Sequence, residues 1–208
     1  MRPDDPNLPG LRIIASALGD LRTKVVFVGG AVAGLLVTDP LAGTVRATID
    51  VDAVVEAGIA QFHHIEEQVA VRGFARDMDS TVICRWVHRP SGVVFDLMPV
   101  HPEVLGFSNR WYPYLVESAV WVELAPGLSI RLANAVAFVA TKLEAFTTRG
   151  GSDILSSHDL EDVLNLVDGR EELMREMVLA PPALISEPER AGIVEARMRA
   201  ISQGKAEL

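Results

Sequence analysis

Apolar positions along this chain follow two rhythms, and the change from one to the other divides it. Leu11, Ile14 and Leu18 stand at near-helical spacing within residues 8–21, which predicts a leading helix. Residues 24–28 end in the unbroken run Val25-Val26-Phe27-Val28, the pattern of a strand buried on both faces. A short helix is predicted over 31–37, closed by Asp39-Pro40. Residues 48–54 predict a second strand, with Ile49 and Val51 turned into the core. Residues 58–71 predict a helix with Ile59, Phe62 and Val69 inward. Strand-like runs at 81–87 and 93–98 flank His88-Arg89-Pro90-Ser91-Gly92 and predict a hairpin; residues 116–124 and 128–132 predict another around Pro126-Gly127.

From Ala133 the rhythm is helical to the end. Val136, Val139, Leu143 and Phe146 fall on one face, as do Leu160, Val163, Leu164 and Val167 in a helix stopped by Asp168-Gly169. A third helix is predicted over 171–178. A last one after Pro181-Pro182 carries Val194, Met198 and Ile201. The expected fold class is therefore α/β in the wider sense (α+β): a mixed sheet with flanking helices over residues 1–132, then a helical half over 133–208.

Composition narrows the setting. With 208 residues and 49% of them apolar, the chain can bury a sizeable core. No apolar run reaches the roughly 18 residues of a membrane span, so no membrane partner is expected. The start, Met1-Arg2-Pro3-Asp4-Asp5-Pro6, is polar and acidic rather than a charged leader before an apolar core, which points to a cytoplasmic protein. The single cysteine, Cys84, cannot form an internal disulfide and reads as a buried, inert thiol. Lys and Arg number 19 against 28 Asp and Glu, a formal charge of −9. A uniformly acidic surface repels nucleic acid, so an RNA partner would have to meet a local basic patch.

The chemistry concentrates where the second strand is predicted. Asp50 and Asp52 are two apart, so an extended backbone sets both carboxylates on one face. Two carboxylates held together call for a cation, and Mg²⁺ takes one or two carboxylates plus phosphate oxygens. Asp96, in the run Val93-Val94-Phe95-Asp96-Leu97-Met98, supplies a third, enough for a second ion that activates an acceptor hydroxyl. Gly29-Gly30 closes the first strand, where glycine lets phosphate approach the backbone at the start of the following helix. A tight turn needing positive φ is the plainer reason for such a pair. Arg46 precedes the aspartates and reads equally as a phosphate contact or a solvated arginine.

Together the Gly-Gly turn, the run Arg46-x-Thr48-x-Asp50-x-Asp52 and the later Asp96 resemble the nucleotidyltransferase superfamily, specifically its minimal and AbiEii-like toxin branch. The resemblance continues through Ala140-Thr141-Lys142-Leu143-Glu144-Ala145-Phe146 and Ser157-His158-Asp159-Leu160-Glu161-Asp162. Ala31 stands where many members place Ser or Thr, and the 19 residues between Gly30 and Asp50 exceed the usual gap.

The resemblance implies a nucleotidyltransferase-like catalytic domain over 1–132 and a helical domain over 133–208. It implies that an NTP is the substrate and Mg²⁺, or Mn²⁺, the cofactor, with Asp50, Asp52 and Asp96 as metal ligands and catalytic carboxylates. Gly29, Gly30, Arg46, Thr48, Lys142 and Asp159 become nucleotide-binding candidates, with Lys142 also catalytic. Asp159 otherwise reads as an acidic residue favouring a helix start, and Asp162 as a structural partner of that helix. Lys142 and Arg149, seven apart, share a helix face.

The implied activity is transfer of a nucleoside monophosphate from an NTP to RNA, the tRNA 3′ end above all, by the toxin of a toxin–antitoxin or phage-defence pair with a cognate antitoxin. A small cationic acceptor of the aminoglycoside type, or a non-catalytic module of the same fold, are the alternatives. His63, His64, His88, His101 and His158 show no metal-ligand spacing and are expected at the surface or hydrogen-bonded. Trp111-Tyr112-Pro113-Tyr114 beside Arg110 reads as a loop packed on the core, or as a surface that stacks a base.

Overall fold

The run Val25–Val28 forms β1, fully buried near the middle of a seven-stranded mixed sheet. The structure is a computed structural model that describes residues 3–148 and 157–186, together with Gly192, Ile193 and Glu195. The helix expected around Val194, Met198 and Ile201, and Arg149, lie outside the described residues. On one side of β1 lies β2 (Asp50–Val55), antiparallel to it. Next come β5 (Val94–Pro99), parallel to β2, then β4 (Arg85–His88) and β3 (Phe74–Arg76), each antiparallel to its neighbour. On the other side β7 (Leu128–Leu132) runs parallel to β1 and carries the antiparallel edge strand β6 (Val120–Ala125).

Because alternate side chains of a strand leave opposite faces, the two faces of the sheet have separate cores. Val25, Phe27, Ala53, Val55, Phe95 and Leu97 face α1 (Leu8–Leu18) and α3 (Ile59–Val71), meeting Leu11, Ile14, Phe62, Ile65 and Val69. Val26, Val28 and Val54 face the other way, onto α5 (Tyr112–Glu117) and Ala137 of α6 (Ala135–Thr148). Residues 135–141 of α6 are buried all round, because α7 (His158–Gly169) and α8 (Leu173–Leu179) cover its outer side with Val163, Leu166, Val167, Leu173 and Met177. Phe27, Phe62, Phe95 and Phe138 are among the largest fully buried side chains, each contributing about 1.5–3 kcal/mol by leaving water.

Several local expectations are corrected. Ile49 is 85% exposed, because β2 begins one residue later and Ile49 sits outside its ladder. Ile59 is exposed while Ile65 is buried, since it opens α3 at the rim of the core. The expected strand from 116 starts only at Val120. Pro113, tolerated in a first helical turn, opens α5 instead, and Val116 is buried on that helix. Residues 81–84 form a loop ahead of β4 rather than part of it. Leu164 faces out because α7 is rolled so that Asp162, Val163, Leu166 and Val167 point inward.

Candidate active site

Strand register brings the acidic residues together. Val28 pairs with Asp52, Asp52 with Asp96, and Asp96 with Arg85, a row crossing β1, β2, β5 and β4. In-register residues share a face, so Asp52, Asp96 and Arg85 project together, with Asp50 two residues along β2 on the same side. This is the face that carries the smaller core, and the site lies where its apolar residues give way to carboxylates. Arg85 answers two of them. Its Nε donates to Asp96 Oδ1 at 2.9 Å, and its Nη2 donates to Asp96 Oδ2 at 2.7 Å and to Asp50 Oδ2 at 2.6 Å. The hydrogen bonds to Asp96 dominate the Arg85 environment and raise its pKa further above the ordinary value, against the opposing effect of burial.

The glycine pair makes room for this chemistry. Gly29 has φ of 78°, a conformation that side chains rarely adopt, and a Cβ there would fall on the Asp52 carboxylate. A Cβ on Gly30 would stand 2.7 Å from Thr48 Cγ2, 3.0 Å from Arg46 Nη2 and 3.3 Å from Asp162 Oδ2. The helix expected after the turn is reduced to a 3-10 turn, Gly30–Val32, and the single α turn α2 (Ala33–Leu36). So short a helix has little dipole to offer a phosphate; the cationic side chains that line the cleft are Arg46, Arg85 and Lys142.

Arg46 and Lys142 are fixed by α7. Ser157 caps its N-terminus, accepting from the Leu160 amide, and Asp159 and Asp162 follow three residues apart on one face. Lys142 of α6 reaches both, with Nζ 3.0 Å from Asp159 Oδ1 and 2.7 Å from Asp162 Oδ2. Lys142 is thus a nearly buried cation. Burial alone would lower its pKa; the charges of Asp162 and Asp159 outweigh that and raise it. Arg46 approaches the same Asp162 oxygen at 3.5 Å and Glu161 at 3.7 Å. Asn7, buried, holds the arm before β2: its Nδ2 donates to the Arg46 carbonyl and its Oδ1 accepts from the Thr48 amide.

Gly29, Gly30, Arg46, Thr48, Asp50, Asp52, Asp96, Lys142 and Asp159 all line one cleft of about 650 Å³. Three residues that the sequence reading did not place in the site stand there too. Arg85 and Asn109 line the cleft, and Asp162 lies buried behind it. Cys84, buried beside the row, has its thiol pushed up to about 12 by burial and then by Asp96 and Asp52. Tyr112 is core-packed, its hydroxyl 3.2 Å from the Met98 sulfur, while Arg110 stacks on Trp111 and pairs with Glu144. His158 borders the cleft; His63, His64, His88 and His101 lie away from it, each beside a Glu or Ser.

Among the described residues no three His, Cys, Asp or Glu side chains are gathered as a ready metal cage. The Arg85 guanidinium stands between Asp50 and Asp96. The donor set nonetheless fits Mg²⁺ or Mn²⁺. It offers hard carboxylate oxygens on two adjacent strands, with three negative charges facing one guanidinium.

No protein-family model and no curated protein matches the sequence. Among solved structures the chain is similar to an antigenic nucleotidyltransferase-like protein from Paracoccidioides brasiliensis. The two are 16% identical and align with a TM-score of 0.53 over 93% of this chain and 94% of that one. The fold is nucleotidyltransferase-like. A second solved structure, JHP933 from Helicobacter pylori, is 12% identical with a TM-score of 0.46 over 96% of this chain and 95% of that one. Within the nucleotidyltransferase-like sheet, the Gly29-Gly30 turn and the aspartates of β2 and β5 meet at one end of one face, with α6 and α7 bringing Lys142 and Asp159 across from them.

Proposed function

We propose that this chain transfers a nucleoside monophosphate from an NTP to an acceptor hydroxyl. The observation that carries the reading is the in-register pair Asp52–Asp96, with Asp50 on the same face, in a cleft that also holds the glycine turn, Arg46 and Lys142. Asp50, Asp52 and Asp96 are the residues that would hold Mg²⁺ or Mn²⁺. The bound ion supplies charge neutralisation on the triphosphate and acidifies a hydroxyl beside it. Gly29 and Gly30 let the phosphates approach the turn, and Lys142 and Arg46 donate to their oxygens. Thr48 keeps the arm in place through Asn7 and Asp50. The acceptor oxygen attacks the α-phosphorus, the bond to the bridging oxygen breaks, and pyrophosphate leaves; Asp96 would assist the acceptor hydroxyl as the third carboxylate and take up its proton.

For the acceptor we propose RNA, at the tRNA 3′ end, with the chain acting as an AbiEii-like toxin neutralised by a cognate antitoxin. This rests on the sequence resemblance in both halves of the chain. A small cationic acceptor is the second reading, and a specific observation favours it. Four carboxylates line the cleft (Asp50, Asp52, Asp96 and Asp159) against three cations, with Asp162 behind them. That balance attracts a cation and repels a polyanion.

Incubation with each α-labelled NTP, Mg²⁺ and either total RNA or a panel of aminoglycosides separates the readings. Label on a discrete tRNA-sized band that Asp50→Asn abolishes is the expected result. Label on the small molecule alone overturns the RNA acceptor, and label on neither overturns transfer in favour of a non-catalytic module.

A further inference from the structure

Arg85 occupies a position that the catalytic reading leaves unexplained. It is the cation in direct contact with two of the three carboxylates assigned to the metal, and strand register puts it there. Arg85 pairs with Asp96 across β4 and β5, while Asp96 pairs with Asp52 across β5 and β2. Its hold on the two aspartates is unequal. Asp96 receives both arms of the guanidinium fork, Nε at 2.9 Å and Nη2 at 2.7 Å, whereas Asp50 is held by the second hydrogen of Nη2 alone, at 2.6 Å. The bidentate bond is the sturdier, because both of its hydrogen bonds must break together. The single bond to Asp50 is the one that can open while the side chain stays in place. Asp50 is also the more accessible partner, at 31% side-chain exposure against 7% for Asp96.

Resting on the metal-site reading above, we propose that Arg85 is a built-in counterion for the metal ligands. It offsets part of the negative charge of Asp50 and Asp96 in the metal-free protein, and it must release Asp50, while keeping Asp96, when a divalent cation binds. Arg85 is thus a positioning residue that sets the affinity of the site for its ion. The fold gains a cluster of three aspartates that does not repel itself apart before the ion arrives, and loses some metal affinity in return. The guanidinium charge sits within hydrogen-bond distance of two donor groups, where it opposes a dication directly.

The test uses the full chain without nucleotide, so that its readout is independent of transfer. Free Mn²⁺ is titrated against wild type, Arg85→Gln and Arg85→Lys, with the free ion followed by electron paramagnetic resonance and melting curves recorded with and without Mn²⁺. Arg85→Gln should bind Mn²⁺ about tenfold more tightly or better, because one opposing charge is gone. It should melt lower than wild type without the ion and gain more from adding it. Arg85→Lys keeps the charge, so its affinity should stay near that of wild type; it also serves if Arg85→Gln does not fold. Its lysine cannot hold both aspartates as a fork does, so its metal-free melting temperature should still fall. Mn²⁺ affinity in Arg85→Gln equal to or below that of wild type overturns the counterion role and leaves the metal site standing. If only Arg85→Lys folds, a Mn²⁺ affinity tenfold or more away from that of wild type overturns it. Absence of Mn²⁺ binding by every variant, wild type included, overturns the metal site and the counterion role with it.

Discussion

The carboxylate of Asp52 lies in the space where a side chain on Gly29 would begin. Turn and metal-ligand candidate therefore depend on each other: the strand partner of Val28 can sit against the turn after β1 only because the residue there is glycine. Gly29→Ala should cost about 1–3 kcal/mol from its backbone conformation alone, and more from displacing Asp52. Gly43→Ala, where a Cβ meets nothing within 4 Å, should stay within about 0.5 kcal/mol of wild type. Urea denaturation of the two variants checks this; equal stability would mean that Gly29 is an ordinary turn residue.

The Lys142–Asp162 pair predicts a stability effect that its place in the cleft would hide. Side-chain exposure is 11% for Lys142 and 2% for Asp162, so removing either leaves a buried charge without its closest partner. Asp162→Ala and Lys142→Ala should each lose about 3–5 kcal/mol. Lys142→Arg is then the variant suited to nucleotide titrations. The pH dependence has a definite sign. The folded pKa of Lys142 lies above its ordinary value of 10.5. The stabilisation is therefore complete at pH values below that ordinary value and is lost as pH rises through the higher folded value. The gap between wild type and Lys142→Ala in urea should hold from neutral pH to about 10 and narrow above that.

Cys84 gives a second pH signature. Burial, then repulsion from Asp96 and Asp52, moves its thiol from 9.0 to about 12. At pH 8–9 the native thiol should resist a thiol-specific reagent that labels the urea-unfolded chain quickly. Because the unfolded state ionises near 9 and the folded state only near 12, stability should fall progressively across that interval. Native labelling as fast as unfolded labelling would contradict the burial.

Much of this was legible in the residues, and what was not has identifiable causes. The run Val25–Val28, the glycine pair and the Asp-x-Asp spacing depend on local periodicity, which sequence displays directly. The sheet order that sets Asp96 beside Asp52 is non-local, but three carboxylates near a turn anticipated it. Arg85 escaped because it depends on hairpin register. A turn centred on Pro90 would set Cys84 opposite Asp96; the observed pairing, Val87 with Val94, shifts by one and sets Arg85 there. A one-residue slip exchanges every side chain between faces, and nothing in the residues themselves fixed that step. Leu164 shows the same limit in a helix: apolar spacing placed it inward, but Asp159 and Asp162 answering Lys142 decided the roll of α7. β3 is three residues long, too short to show a period.

The most direct measurement of the central claim is Mg²⁺-dependent release of pyrophosphate from an NTP, coupled to labelling of an acceptor, by wild type, Asp50→Asn and Asp52→Asn. Circular dichroism shows whether each variant keeps its fold. Each substitution keeps the side-chain volume and removes one charge from the aspartate cluster. Both variants should fold, and both should lose transfer by about a hundredfold or more. Transfer at the wild-type rate by both folded variants would contradict that claim.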